Sequence, residues 1–240
     1  MKRINFLLHS PIAHRGLHSR DVPENSLEAF RKAVEGKFPI ELDVRLTKTG
    51  EVVVFYDENL HRMCGIRKEV AKCSFTEIRE LYLKHTHERI PLLSEALAVI
   101  NGKVPILIEL KSAQRTGKLE TAVLEILEEY KGKYAFQSFN PLSLRWLKKH
   151  APNIPRGQLA SDFKNSREVS LVMRPALKNI WCFSLTKPDF ISYDIRALPN
   201  KRVEKLHKQN IPILGWTVTK INESQEALKY CDNLICEKIL

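Results

Sequence analysis

Short apolar runs that end in polar or charged letters recur along this chain, and they limit its fold more than any other feature. The clearest are Pro11 to His14, Ile40 to Leu46 and Val104-Pro-Ile-Leu-Ile-Glu-Leu-Lys111. Helix-period segments separate them. Ser26 is placed to cap a helix through Leu27, Phe30 and Val34 to Gly36. Leu119 to Tyr130 sets apolar residues at 119, 123, 124, 126 and 127, an amphipathic spacing. Further strands are expected at Tyr134–Phe139, Gln158–Ala160, Phe190–Tyr193, Ile213–Val218 and Leu234–Cys236. Helices are expected at Ser94–Ile100, from Pro141 onward, at Pro199–Gln209 and at Glu223–Tyr230. Near-continuous apolar strands alternating with helices mean a parallel sheet covered by helices. About eight such strands, with no Gly-x-Gly-x-x-Gly at the first turn, predict an α/β fold closed as a TIM (β/α)8 barrel. Ile40–Leu46 and Val52–Tyr56, flanking the Thr49-Gly50 turn, predict a small hairpin-like insertion after the second strand.

The 240 residues, 43% of them hydrophobic, suffice for one barrel. Without a linker tract, residues 1–240 are read as a single domain. The formal charge is +11, from 39 Lys+Arg against 28 Asp+Glu. That surplus favours anionic substrates and permits weak contact with an anionic membrane surface. The basic residues are scattered over helix-like segments such as Arg31-Lys32 and Lys148-Lys149, without a recognition motif, so nucleic acid is not expected as a partner. Five cysteines form no C-x-x-C pair and are odd in number, which points to a reducing compartment. With no segment of ~18 apolar residues, the expectation is a soluble cytoplasmic protein. Phe136, Trp146 and Trp181 are assigned to core packing rather than to an interface, and the oligomeric state is left open.

In such a barrel the strand C-termini open into the active-site mouth, where His14, Glu41, Asp43, Glu109, Lys111 and Ser138 are expected to converge. Glu41 and Asp43, two apart on one strand, project to the same face. Glu109 inside Ile-Leu-Ile-Glu-Leu carries a desolvation cost unless it is paired or holds a metal. Three oxygen ligands suit one hard divalent cation, Mg2+ or Ca2+. Lys111 shares Glu109's face and is placed to neutralise a phosphate. His14 can move a proton near neutral pH, Arg15 can clasp phosphate oxygens, and Gly16 lets backbone approach a ligand. Walker loops, nucleophile elbows and zinc spacings are absent. The blander reading keeps Glu109 with Lys111, and Asp43 with Arg45, as ordinary partly buried pairs.

Ala-His-Arg-Gly at 13–16, Pro-Glu-Asn-Ser at 23–26 followed by Ala29-Phe30, and Glu41-Leu-Asp43 resemble the glycerophosphodiester phosphodiesterase family. So do Ile90-Pro-Leu-Leu-Ser-Glu95, Ile108-Glu-Leu-Lys111, Gln137-Ser-Phe-Asn140 and Trp216-Thr-Val218. The resemblance implies a metal-dependent enzyme that splits a small-molecule glycerophosphodiester into glycerol phosphate and an alcohol. It implies His14 as one of two acid/base histidines, Arg15 and Lys111 on the phosphate, and Glu41, Asp43 and Glu109 on the metal. It further implies that Asn25 contacts the phosphate or fixes the first loop and that Trp216 forms an apolar wall for the glycerol. Tyr56 stands where the family has its second histidine. A phenol can donate a proton but is a weaker acid than imidazolium. Three readings follow: Tyr56 donates the proton, His18 or His61 reaches in from a loop, or the site binds phosphodiester as a sensor without cleaving it. A lysophospholipase D-like activity at a membrane is a further alternative.

Overall fold

The computed structural model describes residues 3–84, 86–112, 116–162 and 180–237. Eight parallel strands close a barrel: β1 (Ile12–His14), β2 (Ile40–Leu46), β4 (Ile106–Leu110), β5 (Tyr134–Ser138), β6 (Arg156–Ala160), β7 (Phe190–Asp194), β8 (Ile213–Val218) and β9 (Asn233–Cys236). Closure comes from β1, which pairs with β2 on one edge and β9 on the other. The remaining strand, β3 (Val52–Val54), runs antiparallel to β2 through Val44↔Val54 and Leu46↔Val52. This is the expected hairpin. It is two residues shorter than the sequence suggested, ending at Val54, while Phe55 joins Val53 in the insertion's own apolar cluster with Leu60, Met63 and Ile78.

Strand alternation sorts the side chains. On β2, Ile40, Leu42 and Val44 pack outward with Phe30, Ala33, Leu97 and Ile100 of the covering helices α1 (Leu27–Glu35) and α4 (Leu93–Ile100). Glu41 and Asp43 take the opposite, inner face. A separate inner cluster of Ile12, Leu107, Ala135, Phe190, Leu214 and Ile235, closed by Ile4 and Leu7, fills the barrel's N-terminal end. The polar inner residues therefore sit on an apolar floor.

Helix α1 starts where Ser26 accepts a hydrogen bond from the Ala29 amide at 3.1 Å. The insertion adds two short helices that the periodicity did not reveal, α2 (His61–Cys64) and α3 (Phe75–Arg79). Ser74 and Glu77 cap α3 reciprocally. Phe136 is buried and Trp146 is half-buried against the main cluster. Trp181 corrects the expectation of core packing: it is 67% exposed, and its neighbour Ile180 fills the core instead. Among the described residues, no helix is long and apolar enough to cross a membrane.

Candidate active site

The register of three neighbouring strands gathers the acids. His14 lies beside Glu41 across β1 and β2, Asp43 beside Glu109 across β2 and β4, and Glu109 beside Gln137 across β4 and β5. Carboxylate oxygens of Glu41, Asp43 and Glu109 all lie within 4.8 Å of one another, and each residue is buried. Lys111 Nζ bridges Asp43 at 3.1 Å and Glu109 at 2.5 Å. Arg15 reaches the cluster twice, with its amide on Glu41 at 3.1 Å and its Nε 3.2 Å from Asp43.

The first loop is shaped for this contact. Arg15, Gly16 and Asn25 all have positive φ, at 56°, 78° and 56°. Such conformations in non-glycine residues are costly and persist only where their surroundings hold them. The Asn25 amide donates to the Arg15 carbonyl at 2.9 Å, and its side chain donates to Asp43 Oδ2 at 2.9 Å. Asn25 thus fixes the first loop against the acids. A Cβ on Gly16 would meet Ala29 of α1 at 2.9 Å, so only glycine fits there.

Two cations face three buried carboxylates, which leaves negative charge unbalanced. Burial, reinforced by Asp43 and Glu109, drives the Glu41 carboxyl well above the usual range. Burial likewise raises Glu109, against the pull of Lys111. Burial would raise Asp43 too, but Lys111, Arg15 and the Asn25 hydrogen bond outweigh it and hold that carboxyl low. Asp43 and Glu109 in turn raise Lys111, despite its burial. Arg15 is also shared with Glu24 at 2.6 Å, which deepens the deficit of positive charge at the acids. A set of hard oxygen donors short of positive charge fits a divalent cation. On donor chemistry and charge, the residues present match the group that the sequence implied.

Tyr56 lies at the rim, 37% exposed, with its ring against both cations. Arg15 Cζ is 3.4 Å and Lys111 Nζ 4.1 Å from the ring centroid. Arg45 holds the Tyr56 carbonyl with two hydrogen bonds, at 2.9 and 2.7 Å. Next in sequence, Asp57 binds Arg62 at 2.8 Å, and Arg62 binds Glu24 at 2.8 Å through Nη1. A continuous chain of charges, from Asp57 through Arg62, Glu24 and Arg15 to Asp43, therefore ties the insertion to the mouth.

His14 ends β1, with its Nδ1 buried and 3.7 Å from Glu237 Oε1, and with no closer partner among the described residues. Burial pushes its imidazole toward the neutral form, and Glu237 partly opposes that. His18 lies beside His14 and Glu237. His61 is exposed at the start of α2. Trp216, on β8, stacks edge-on with Phe139 at 5.6 Å, and its buried indole nitrogen has no hydrogen-bond partner among the described residues.

Ser138 departs from expectation. Its hydroxyl donates to the Leu110 carbonyl at 2.8 Å and receives the Asn140 amide, so it ties β4 to β5 instead of joining the acids. The inward residue is its neighbour Gln137, which donates to Glu41 at 3.3 Å and accepts from Ser192 at 2.7 Å. Counting alternation from Glu109 across the pairing would have found it. Glu24 and Glu237 were also missed, because single acids in loops carry no periodic signal. A cleft of about 610 Å³, lined by Arg3, Lys103, Lys131 and Lys133, lies at the opposite, N-terminal end of the barrel, away from these groups.

Comparison with known proteins agrees with the fold. A glycerophosphodiester phosphodiesterase of Caldanaerobacter subterraneus subsp. tengcongensis is 31% identical over 231 residues, covering 91% of this chain and 89% of that protein. The crystal structure of the glycerophosphodiester phosphodiesterase from Thermotoga maritima superposes with a TM-score of 0.74 at 26% identity, covering 95% of each chain. A phosphodiesterase from Oleispira antarctica, solved with the product sn-glycerol-3-phosphate, shares the fold at TM-score 0.82 and 22% identity over 99% of this chain and 96% of that one. The sequence profile of the Glycerophosphoryl diester phosphodiesterase family matches residues 14–236, so this chain belongs to that enzyme family.

Proposed function

We propose that this protein hydrolyses glycerophosphodiesters to glycerol 3-phosphate and an alcohol, using one divalent cation, Mg2+ or Ca2+, held by Glu41, Asp43 and Glu109. The observation that carries the reading is the buried oxygen triad with Arg15 and Lys111 on it, still short of positive charge. When bound, such a cation supplies Lewis-acid polarisation of the phosphoryl oxygens. Arg15 and Lys111 bind the phosphate, while Asn25 keeps the Arg15 loop in place. His14, neutral near pH 7, takes the proton from the attacking water or glycerol hydroxyl. An oxygen–phosphorus bond forms as the ester oxygen–phosphorus bond breaks, and Tyr56 gives its hydroxyl proton to the departing alkoxide; where the glycerol hydroxyl is the attacker, water then opens the resulting cyclic phosphodiester in a second displacement to give glycerol 3-phosphate.

Tyr56 is preferred to His18 and His61 in that last step. In-line displacement places acid and base on opposite sides of phosphorus. His18 is beside His14, on the same side, and His61 points into solvent from the insertion. Trp216 offers the glycerol an apolar wall and an N–H that has no partner among the described residues. The product bound by the Oleispira antarctica phosphodiesterase is the product assigned here. Five free cysteines support the cytoplasm as its location.

The test is product analysis with glycerophosphocholine and glycerophosphoethanolamine in one arm and lysophosphatidylcholine in vesicles in the other. Glycerol 3-phosphate released from the water-soluble diesters supports the proposal. Turnover only at the vesicle surface would replace it with the lysophospholipase D reading. Tight diester binding without turnover would replace it with the sensor.

A further inference from the structure

Adjacent strands bring a second donor set to the same mouth. The β1–β9 register aligns Ala13 with Cys236, so the next residues, His14 and Glu237, emerge side by side. The loop then curls back: the Leu17 amide bonds the Ala29 carbonyl at 2.9 Å and the His18 amide bonds the Gly16 carbonyl at 3.0 Å. That path sets His18 against the other two, with one ligand atom from each of His14, His18 and Glu237 within 4.8 Å of the others. A further sign of a ligand is His14 Nδ1, which is buried and faces Glu237 Oε1 at 3.7 Å, beyond normal hydrogen-bond length, with no closer partner among the described residues. A buried polar atom left unpaired in this way carries a desolvation cost that a ligand would relieve.

We propose that His14, His18 and Glu237 form a binding site for a transition-metal ion of the Zn2+ type, distinct from the oxygen triad, and that its occupation switches the enzyme off. Two imidazoles and one carboxylate with a fourth position open to water suit zinc, whereas Mg2+ and Ca2+ prefer oxygen donors alone. The inhibitory effect rests on His14 being the acid/base group of the proposed hydrolysis. A metal on either ring nitrogen takes the lone pair that must accept the proton. Substrate turnover then stops while the oxygen triad stays free for its own cation.

The deciding experiment is a calorimetric titration of the full chain with Zn2+ under saturating Mg2+, repeated with Co2+ for its visible spectrum. One equivalent should bind, with the intense absorption of a four-coordinate Co2+ site. His18→Ala and Glu237→Gln should each weaken binding by about tenfold or more, the loss expected even for an outer-sphere partner. Asp43→Asn should leave it intact. Zn2+ should also slow the parent enzyme, with chelation restoring it, while His18→Ala turns over normally and loses the zinc sensitivity. Circular dichroism and the variant His18→Gln separate loss of the site from loss of the fold. Binding that is absent, unchanged in His18→Ala and Glu237→Gln, or lost in Asp43→Asn overturns the proposal. The isotherm reads the metal site even if no diester is cleaved, so it fails separately from the hydrolase reading.

Discussion

The two halves of the barrel solve different problems. On β1, β2 and β4 the inner face carries His14, Glu41, Asp43, Glu109 and, just beyond, Lys111. On β5, β7 and β8 it carries Gln137, Ser192 and Trp216, which are neutral, while Asp194 at the end of β7 is closed off by Arg196 at 2.9 and 2.8 Å. Both halves rest on the same apolar floor and are backed by apolar clusters of similar make-up. The scaffold is therefore symmetric and the charge is not. Buried charge is costly unless compensated, so the gathering of three carboxylates with Arg15 and Lys111 on three adjacent strands is where the proposed phosphate and cation would meet. On the proposed function, the neutral half would face the uncharged end of the substrate.

That contrast breaks most sharply at His14. His14→Ala should lower turnover by ~10²–10⁴-fold with the fold intact, as read by initial rates and circular dichroism. An equal loss from Ser192→Ala would erase the distinction between the halves. Tyr56 comes next, because it joins the charged half through its ring. Tyr56→Phe keeps the contact with Arg15 and Lys111 but removes the proton, so kcat should fall while KM holds; Tyr56→His should preserve or raise kcat. A silent Tyr56→Phe would reduce the residue to a packing surface for the two cations. On the neutral side, Trp216→Ala should raise KM by about tenfold and change kcat little, the sign of binding shared by ground and transition states.

The smallest effect concerns pH. Burial favours neutral His14, so the acid limb of kcat/KM should lie below the ordinary imidazole value of 6.5. Glu237 opposes burial by favouring the imidazolium, so Glu237→Gln should move that limb to still lower pH. A shift toward higher pH would mean that Glu237 does not face the titrating histidine.

Most of this contrast was legible in the sequence, for a physical reason. A carboxylate inside an apolar strand is conspicuous, and Glu41, Asp43 and Glu109 are each of that kind. All nine strands were visible as apolar runs, with ends misplaced by a few residues where proline or a turn trims the ladder, as at Pro105 before β4. What stayed hidden depends on direction rather than type. Ser138 and Gln137 are neighbours, and a one-residue change of register exchanges inner and outer faces. Trp181 is as apolar as Ile180, yet only the latter turns inward. Glu24 and Glu237 acquire meaning only once loops and strand order place them against Arg15 and His14. The ring-on-cation placement of Tyr56 is likewise set by the Arg45 hold on its carbonyl, which no local pattern encodes.

The measurement that bears most directly on the charged half is the initial rate of glycerol 3-phosphate release from glycerophosphocholine with Mg2+, Ca2+ or chelator, run beside His14→Ala. The account predicts turnover that appears with the cation, vanishes with the chelator and collapses in His14→Ala. Turnover indifferent to chelation, or unchanged in His14→Ala, would contradict it.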